Sequence, residues 1–88
     1  MYIHIGGDYT ISSHLIIGVF DMERVTVDPE MNATMDVLRL AEEQNRLDII
    51  SMDIPRSMIL TLEKVYLSPV STATLRTRLN SVTLAFDS

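Results

Sequence analysis

The chain has 88 residues, of which 47% are hydrophobic and 6% aromatic, and its formal net charge is −5 at pH 7. This length predicts one domain, 1–88, with more apolar side chain than so short a chain can bury within itself, so we expect self-association. The absence of cysteine excludes disulfides and thiolate metal sites. The acidic total disfavours indiscriminate binding to nucleic acid, which requires a clustered positive field.

The location of the protein is predicted from the apolar segments of the sequence. Residues 1–6 lack the basic region with which a signal peptide begins. The longest apolar run, Leu15–Phe20, is too short to span a bilayer. We therefore expect a cytoplasmic protein without a membrane partner.

The first quarter of the chain is predicted to contain three strands. Met1–Ile5 alternates between apolar and polar residues, and the turn sequence Gly6-Gly7-Asp8 leads into a short second strand that ends at Ile11. His14–Asp21 is apolar on both faces, which predicts a central strand buried on two sides. Met22–Val27 is then expected to be a connecting loop.

A helix is predicted to follow this loop. Asp28-Pro29-Glu30 combines a capping carboxylate, a proline suited to the first helical position and an acidic first turn, and the helix should run to about Asn45 or Arg46. Its apolar residues cover an arc of roughly 220°, wider than the stripe that one sheet buries. We therefore expect the Leu38 side to pack on the sheet, whereas Val37 and Leu40 face a second subunit.

The next predicted elements are a strand and a hairpin. Leu47–Met52 is typical of a strand, and Asp53-Ile54-Pro55 of a turn. Ser57–Leu62 and Val65–Ser68 are short apolar runs separated by the polar pair Glu63-Lys64, which is the spacing of a β-hairpin.

The last predicted elements are a capped helix and a terminal strand. Pro69 cannot continue strand pairing, and Ser71 can cap a helix that begins at Thr72. Near the C-terminus, an alternating pattern predicts a strand that pairs with an edge of its own sheet or of a neighbour's. The apolar residues of this predicted strand, which we expect at an oligomer interface, are Val82, Leu84 and Phe86. Together the elements predict an α+β fold with a small antiparallel sheet of about five strands and two helices.

Positive charge is concentrated in the C-terminal part of the chain. Residues 1–63 carry four basic and eleven acidic side chains, whereas residues 64–88 carry three basic and one acidic. A lone Lys or Arg is most often only a solvated surface charge. As a set, however, these cations could contact phosphate, with Ser71 and Thr72 as supplementary donors. The candidate DNA-binding residues are Arg56, Lys64, Arg76 and Arg78.

No catalytic, cofactor or metal site is predicted. His4 and His14 are the only histidines, and no carboxylate lies at ligand spacing from either, so both are most simply strand or bend residues. Ser13 and His14 are adjacent, and adjacent side chains diverge on an extended chain. We therefore expect no enzyme; a deep polar pocket around either histidine would indicate one.

Several segments resemble one protein family. Tyr2–Gly6, Ile11–Ser13, Ile17–Asp21 and Tyr66–Leu75 resemble the corresponding segments of the RemA/RemB family of extracellular-matrix regulators of spore-forming Firmicutes, with the RemB branch closer. The resemblance covers nearly the whole chain, and none of these motifs is catalytic.

This resemblance implies a small α+β protomer in a closed homo-oligomeric ring. In the RemA branch, such a ring binds promoter DNA and activates biofilm-matrix and osmoprotection operons through arginines on its rim. By position, one of those arginines falls near Leu15 and an adjacent pair falls near Ile54-Pro55, so only Arg56 is basic in that loop here.

Two functions are consistent with these observations. The first is a ring-shaped, non-enzymatic transcription regulator that contacts double-stranded DNA through its basic C-terminal segment. The alternative is an oligomeric scaffold that binds another regulatory protein and does not bind DNA. Clustering of the candidate arginines on one exposed rim favours the first, and their dispersal into ion pairs favours the second.

Overall fold

A computed structural model of the protein describes the backbone of residues 1–87 and the side chains of residues 1–81. Within that range the fold is mixed α and β, with two sheets, three α-helices and two short 3-10 turns, Ser13–Leu15 and Pro29–Met31. The strands are β1 (Tyr2–Gly6), β2 (Tyr9–Ser12), β3 (Ile16–Asp21), β4 (Leu47–Ile49), β5 (Ser57–Thr61) and β6 (Val65–Ser68). The α-helices are α1 (Met22–Val27), α2 (Asn32–Glu43) and α3 (Thr72–Asp87).

The two sheets form separate layers. β1 and β2 form an antiparallel hairpin, and the other strands form a four-stranded sheet in the order β3-β5-β6-β4. Adjacent residues of β5 point to opposite faces of this sheet. Ile59 enters a core shared with the β1–β2 hairpin and Leu75 of α3, whereas Met58 enters a second core shared with Leu38 and Ala41 of α2. The four-stranded sheet is therefore covered on both faces.

The predicted hairpin and helix starts are confirmed. β5 and β6 pair antiparallel on either side of the Glu63-Lys64 turn. Asp28 accepts a hydrogen bond from the Glu30 backbone N–H at 3.0 Å in the 3-10 turn that leads into α2. Ser71 caps α3, which begins at Thr72. Each signal is local, since it depends on residues within one turn of the chain.

The prediction that His14–Asp21 is a central strand is wrong. β3 lies at an edge of its sheet and pairs only with β5, and Ile17 is 60% exposed. The residues of β3 are apolar on both faces because both faces of the sheet are covered by other elements. Val19 packs against the first core, and Phe20 packs against the second. Covering layers thus partly bury both faces of an edge strand, which has a neighbour on one side only.

The sheet was predicted to be antiparallel, and this is wrong for β4. That strand pairs parallel to β6, with Leu47 opposite Val65. The chain leaves β4, crosses beyond β6 to form β5, and returns through the hairpin, so β4 and β6 run in the same direction. β4 also ends at Ile49, earlier than the predicted Met52.

Two further segments are helical where other structures were predicted. Met22–Val27 forms α1 instead of a loop, because the Asp21 carboxylate accepts a hydrogen bond from the Glu23 backbone N–H at 2.9 Å and Val25 is buried. The predicted C-terminal strand is also wrong, since α3 continues to Asp87. The interface predicted from its side chains falls on residues whose side chains lie outside the described part of the chain: Val82, Leu84 and Phe86.

Candidate functional site

The four basic residues predicted to bind DNA do not form one cluster. Lys64 lies in the β5–β6 turn, and its Nζ is 3.2 Å from Oδ2 of Asp48 on β4. The hydrogen bond that Lys64 donates to this carboxylate, and then the carboxylate's negative charge, raise the pKa of Lys64 above the ordinary value. Lys64 is therefore engaged in an ion pair at one end of the sheet.

Arg78 has a different environment, although it lies on α3 two residues after Arg76. Arg78 is half-buried, and its Nη1 donates a hydrogen bond of 2.7 Å to the backbone carbonyl of His4. This contact ties α3 to β1 across 74 residues of sequence. Arg78 therefore has a structural role in the described protomer.

Arg56 and Arg76, in contrast, are exposed, and they line two adjoining depressions. Arg56 lines a depression of about 500 Å³, and Arg76 lines a smaller one of about 190 Å³. The two depressions share Asp21 and Thr72. Neither guanidinium forms an ion pair or a side-chain hydrogen bond with any residue whose side chain the structure describes.

The backbone of Arg56 is fixed between β6 and α1. Its N–H donates a hydrogen bond of 2.8 Å to the Ser68 carbonyl, and its carbonyl accepts one of 3.1 Å from the Met22 N–H. The backbone of Arg56 is therefore held in place by hydrogen bonds on both sides, while its guanidinium is exposed.

Ser71 and Thr72 line the same depression as Arg56, and their predicted role as supplementary phosphate donors stays a prediction. The Ser71 hydroxyl accepts a hydrogen bond of 3.2 Å from the Thr74 N–H and donates one of 3.0 Å to the Thr74 hydroxyl. Ser71 is thus occupied in capping α3.

Acidic and basic residues of α1 and its cap complete the surroundings of the two arginines. Asp21 and Glu23 line the Arg56 depression, and Arg24 lines the Arg76 depression. The carboxylates lower the local positive potential, whereas Arg24 is paired with Asp28 at 3.3 Å. These neighbours were not predicted, because Met22–Val27 was expected to be a loop. The capping potential of Asp21 before Glu23 was the available signal.

An apolar groove lies at the other end of the molecule. The groove, of about 160 Å³, runs between the C-terminal half of α2 and the β5–β6 turn and includes Val37, Leu40 and Leu62. Leu38 packs on the sheet as predicted, while Leu40 is 51% exposed. The prediction that Val37 and Leu40 face a second subunit stays a prediction.

A second exposed apolar feature was not predicted as a site. Residues Met52, Asp53 and Ile54 form the tip of the loop between β4 and β5, which we call the apolar tip. Met52 is fully exposed and Ile54 is 86% exposed. In the sequence this segment is typical only of a turn, although its two apolar residues around one acid were a visible signal.

The histidines and acids do not form a catalytic or metal constellation within the described part of the chain. His4 lies in β1 with its Nε2 2.6 Å from the Gly7 carbonyl, and His14 lies in the 3-10 turn after β2. Among residues 1–81 no three His, Cys, Asp or Glu side chains are placed to hold a metal ion. Nor does any described helix have the length and hydrophobicity of a bilayer span.

Comparison with known proteins places the chain in a family. The family model described as "Extracellular matrix regulatory protein A-like" (RemA-like) matches residues 2–79. The chain is also 32% identical over 79 residues to extracellular matrix regulatory protein B of Bacillus subtilis (strain 168), with 89% of each chain covered. The protein described here therefore belongs to the RemA-like family of extracellular matrix regulatory proteins.

Proposed function

We propose that this protein is a non-enzymatic regulator of extracellular-matrix genes that assembles into a homo-oligomeric ring and contacts duplex DNA through Arg56 and Arg76. The name of the Bacillus subtilis relative supports a regulatory role. The observation that supports the DNA-binding part is that two exposed guanidiniums without a described partner line two depressions that share Asp21 and Thr72. Such a role would be carried out in the cytoplasm, where the DNA is.

The chemistry of guanidinium suits this role. Arginine presents a planar fork of N–H donors that matches the oxygens of a phosphate, and its charge persists at every physiological pH. Each protomer offers only two such groups, and Asp21 and Glu23 weaken their field. Repetition around a ring would add the contacts of several protomers along one duplex, which is how a chain of net charge −5 would obtain useful affinity.

Self-association is supported by the exposed apolar side chains. The apolar tip and the groove leave Met52, Ile54, Leu40 and Leu62 more than half exposed on one small protomer. Exposed apolar surfaces, here two separate ones, are typical of interaction sites.

A mobility-shift titration of the full chain with duplex DNA tests the proposal, with salt concentration varied at each protein concentration. We expect retention at low ionic strength and a steep decrease in affinity as salt rises. Arg56→Ala and Arg76→Ala should each weaken binding and reduce the salt slope, by about one unit for each phosphate that the variant no longer neutralises.

Arg39→Ala is the matched control, because Arg39 is exposed on α2 and is paired with Asp36 at 3.5 Å. Its binding should resemble that of the parent chain. Absence of DNA retention at low salt, or equal weakening by Arg39→Ala, would contradict the role of the arginine pair.

A second candidate function is a protein-interaction scaffold that does not bind DNA. The acidic net charge and the apolar tip favour it, since Met52 and Ile54 are suited to a protein partner and not to phosphate. An oligomer that retains no DNA at low salt, and whose Ile54→Asp variant assembles normally but fails to activate matrix genes in cells, would establish this candidate instead.

A further inference from the structure

Arg24 is the basic residue of the short helix α1, and the sequence did not predict it to bind DNA. It lines the depression of about 190 Å³, whose other charged or polar residues are Arg76, Asp21 and Thr72. Asp21 and Thr72 also line the adjoining depression, which contains Arg56. Two arginines from different helices therefore share one depression, and a third arginine lines the next.

The Arg24 side chain is held by an ion pair with Asp28, four residues further along the chain. Nη2 of Arg24 donates a hydrogen bond of 3.3 Å to Oδ2 of Asp28. The other carboxylate oxygen, Oδ1, accepts the hydrogen bond of 3.0 Å from the Glu30 N–H. Because the ion pair and the cap use different oxygens, Arg24 can leave Asp28 without breaking the cap of the turn that leads into α2.

This ion pair is weak enough for a phosphate to replace it. The Arg24 side chain is 63% exposed, and an exposed pair of this spacing contributes little to stability and is screened by salt. Its order, with the cation before the acid, is the less favourable one on a helix. The carboxylate accepts one hydrogen bond from the guanidinium here, whereas a phosphate can accept two parallel ones.

From this arrangement we infer that Arg24 is a further phosphate-contacting residue of this protein, and that Asp28 competes with DNA for it. The inference rests on the DNA binding of the proposed function and adds a contact and a competitor to it. On binding, the guanidinium of Arg24 exchanges the Asp28 carboxylate for a phosphate of the duplex backbone. Asp28 thus lowers the affinity for DNA although it does not contact DNA itself.

A mobility-shift titration of the full chain with duplex DNA, repeated over a range of salt concentrations, tests the contact. Arg24→Ala should weaken binding and reduce the salt slope by about one unit for each phosphate that Arg24 neutralises. Arg24→Lys keeps the charge and should retain most of the parent slope. Arg39→Ala is the matched control, because Arg39 is an equally exposed arginine paired with Asp36 and lines neither depression.

A double-variant cycle tests the competition by Asp28. Asp28→Asn retains an oxygen for the cap and loses the charge that holds Arg24. Removal of a carboxylate also raises the positive potential in general, so the same substitution is made in the Arg24→Ala background, where only that general effect remains. We expect the gain in affinity from Asp28→Asn to be about twofold larger when Arg24 is present, which is the value of an exposed ion pair.

The pair of Asp36 and Arg39 provides the matched cycle, and the gain from Asp36→Asn should be the same with and without Arg39→Ala. Circular dichroism of each variant verifies that it is folded under the conditions of the titration.

The possible results separate this inference from the proposed function. If the parent chain binds DNA and Arg56→Ala weakens binding while Arg24→Ala does not, the inference is overturned and the proposed function stands. Equal gains from Asp28→Asn with and without Arg24 overturn the competition. A parent chain that retains no DNA at low salt overturns the proposed DNA binding and this inference with it.

Discussion

The Ser68 hydroxyl donates a hydrogen bond to the backbone carbonyl of Ile5, at the buried junction between the two sheets. Both residues are fully buried, and 63 positions separate them in the sequence. The same hydroxyl oxygen accepts a hydrogen bond of 3.0 Å from the Val70 N–H, in the connection that leads to α3. One side chain thus joins the hairpin layer, the four-stranded sheet and the approach to the C-terminal helix.

We expect Ser68→Ala to lower the free energy of unfolding by about 1–3 kcal/mol, because it leaves buried polar groups without their partner. Urea denaturation monitored by circular dichroism measures the change. Ser81→Ala is the control: that hydroxyl donates to the Thr77 carbonyl on an exposed turn of α3, where water can replace it. Equal effects of the two substitutions would show that the junction hydrogen bond is not important for stability.

The reversal between β1 and β2 depends on Gly6. Its φ is +125°, and an added Cβ would lie 3.0 Å from Cδ of Pro69. We expect Gly6→Ala to destabilise the fold by about 1–3 kcal/mol, since the backbone conformation is unfavourable for alanine and the proline ring must also move.

Gly7 offers a matched comparison for that substitution. Its φ of +53° is a conformation that asparagine adopts, and an added Cβ would make only an ordinary contact of 3.5 Å with the Ile50 carbonyl. Gly7→Asn should therefore cost less than Gly6→Ala in the same urea titration. The reverse order would contradict this account of the turn.

Arg76 and Arg78 are expected to differ in function despite their proximity in sequence. Arg78→Ala removes the hydrogen bond to the His4 carbonyl and should lower stability by about 1 kcal/mol. Arg76→Ala should leave the urea midpoint unchanged and lower the affinity for DNA, because Arg76 is exposed and has no described partner. Parallel unfolding and mobility-shift measurements separate the two effects, and equal decreases in stability would contradict the assignment.

Acid stability is expected to depend on Asp28. The hydrogen bond from the Glu30 N–H, and then the contacts with Arg24, lower the pKa of Asp28 in the folded protein. The folded state therefore favours the carboxylate, and this stabilisation is present above the ordinary pKa and disappears as the pH falls through the lowered one.

We expect the Asp28→Asn variant to be less stable than the parent at pH 7, and the difference to shrink as the pH falls below about 4. Asparagine can still cap the turn, so the comparison isolates the charge. Urea midpoints at a series of pH values provide the measurement. A difference that stays constant with pH would show that the carboxylate charge is not responsible.

The sequence by itself determined the elements that depend on neighbouring residues. The Glu63-Lys64 hairpin, the cap at Asp28 and the cap at Ser71 are where local spacing predicted them. Leu38 packs on the sheet because the period of the helix assigns its side. The family was also recognisable from segments spread along the chain.

Only the tertiary structure decided which distant residues meet. The pairing of β4 with β6 is parallel, and β3 lies at an edge, because the strand order depends on how the chain crosses the sheet. The same long-range packing places Arg56 and Arg76 on two depressions that share Asp21 and Thr72, whereas Arg78 donates a hydrogen bond to the His4 carbonyl of β1. Local pattern carries no information about such contacts, since the energy that selects them comes from burying both faces of the sheet at once.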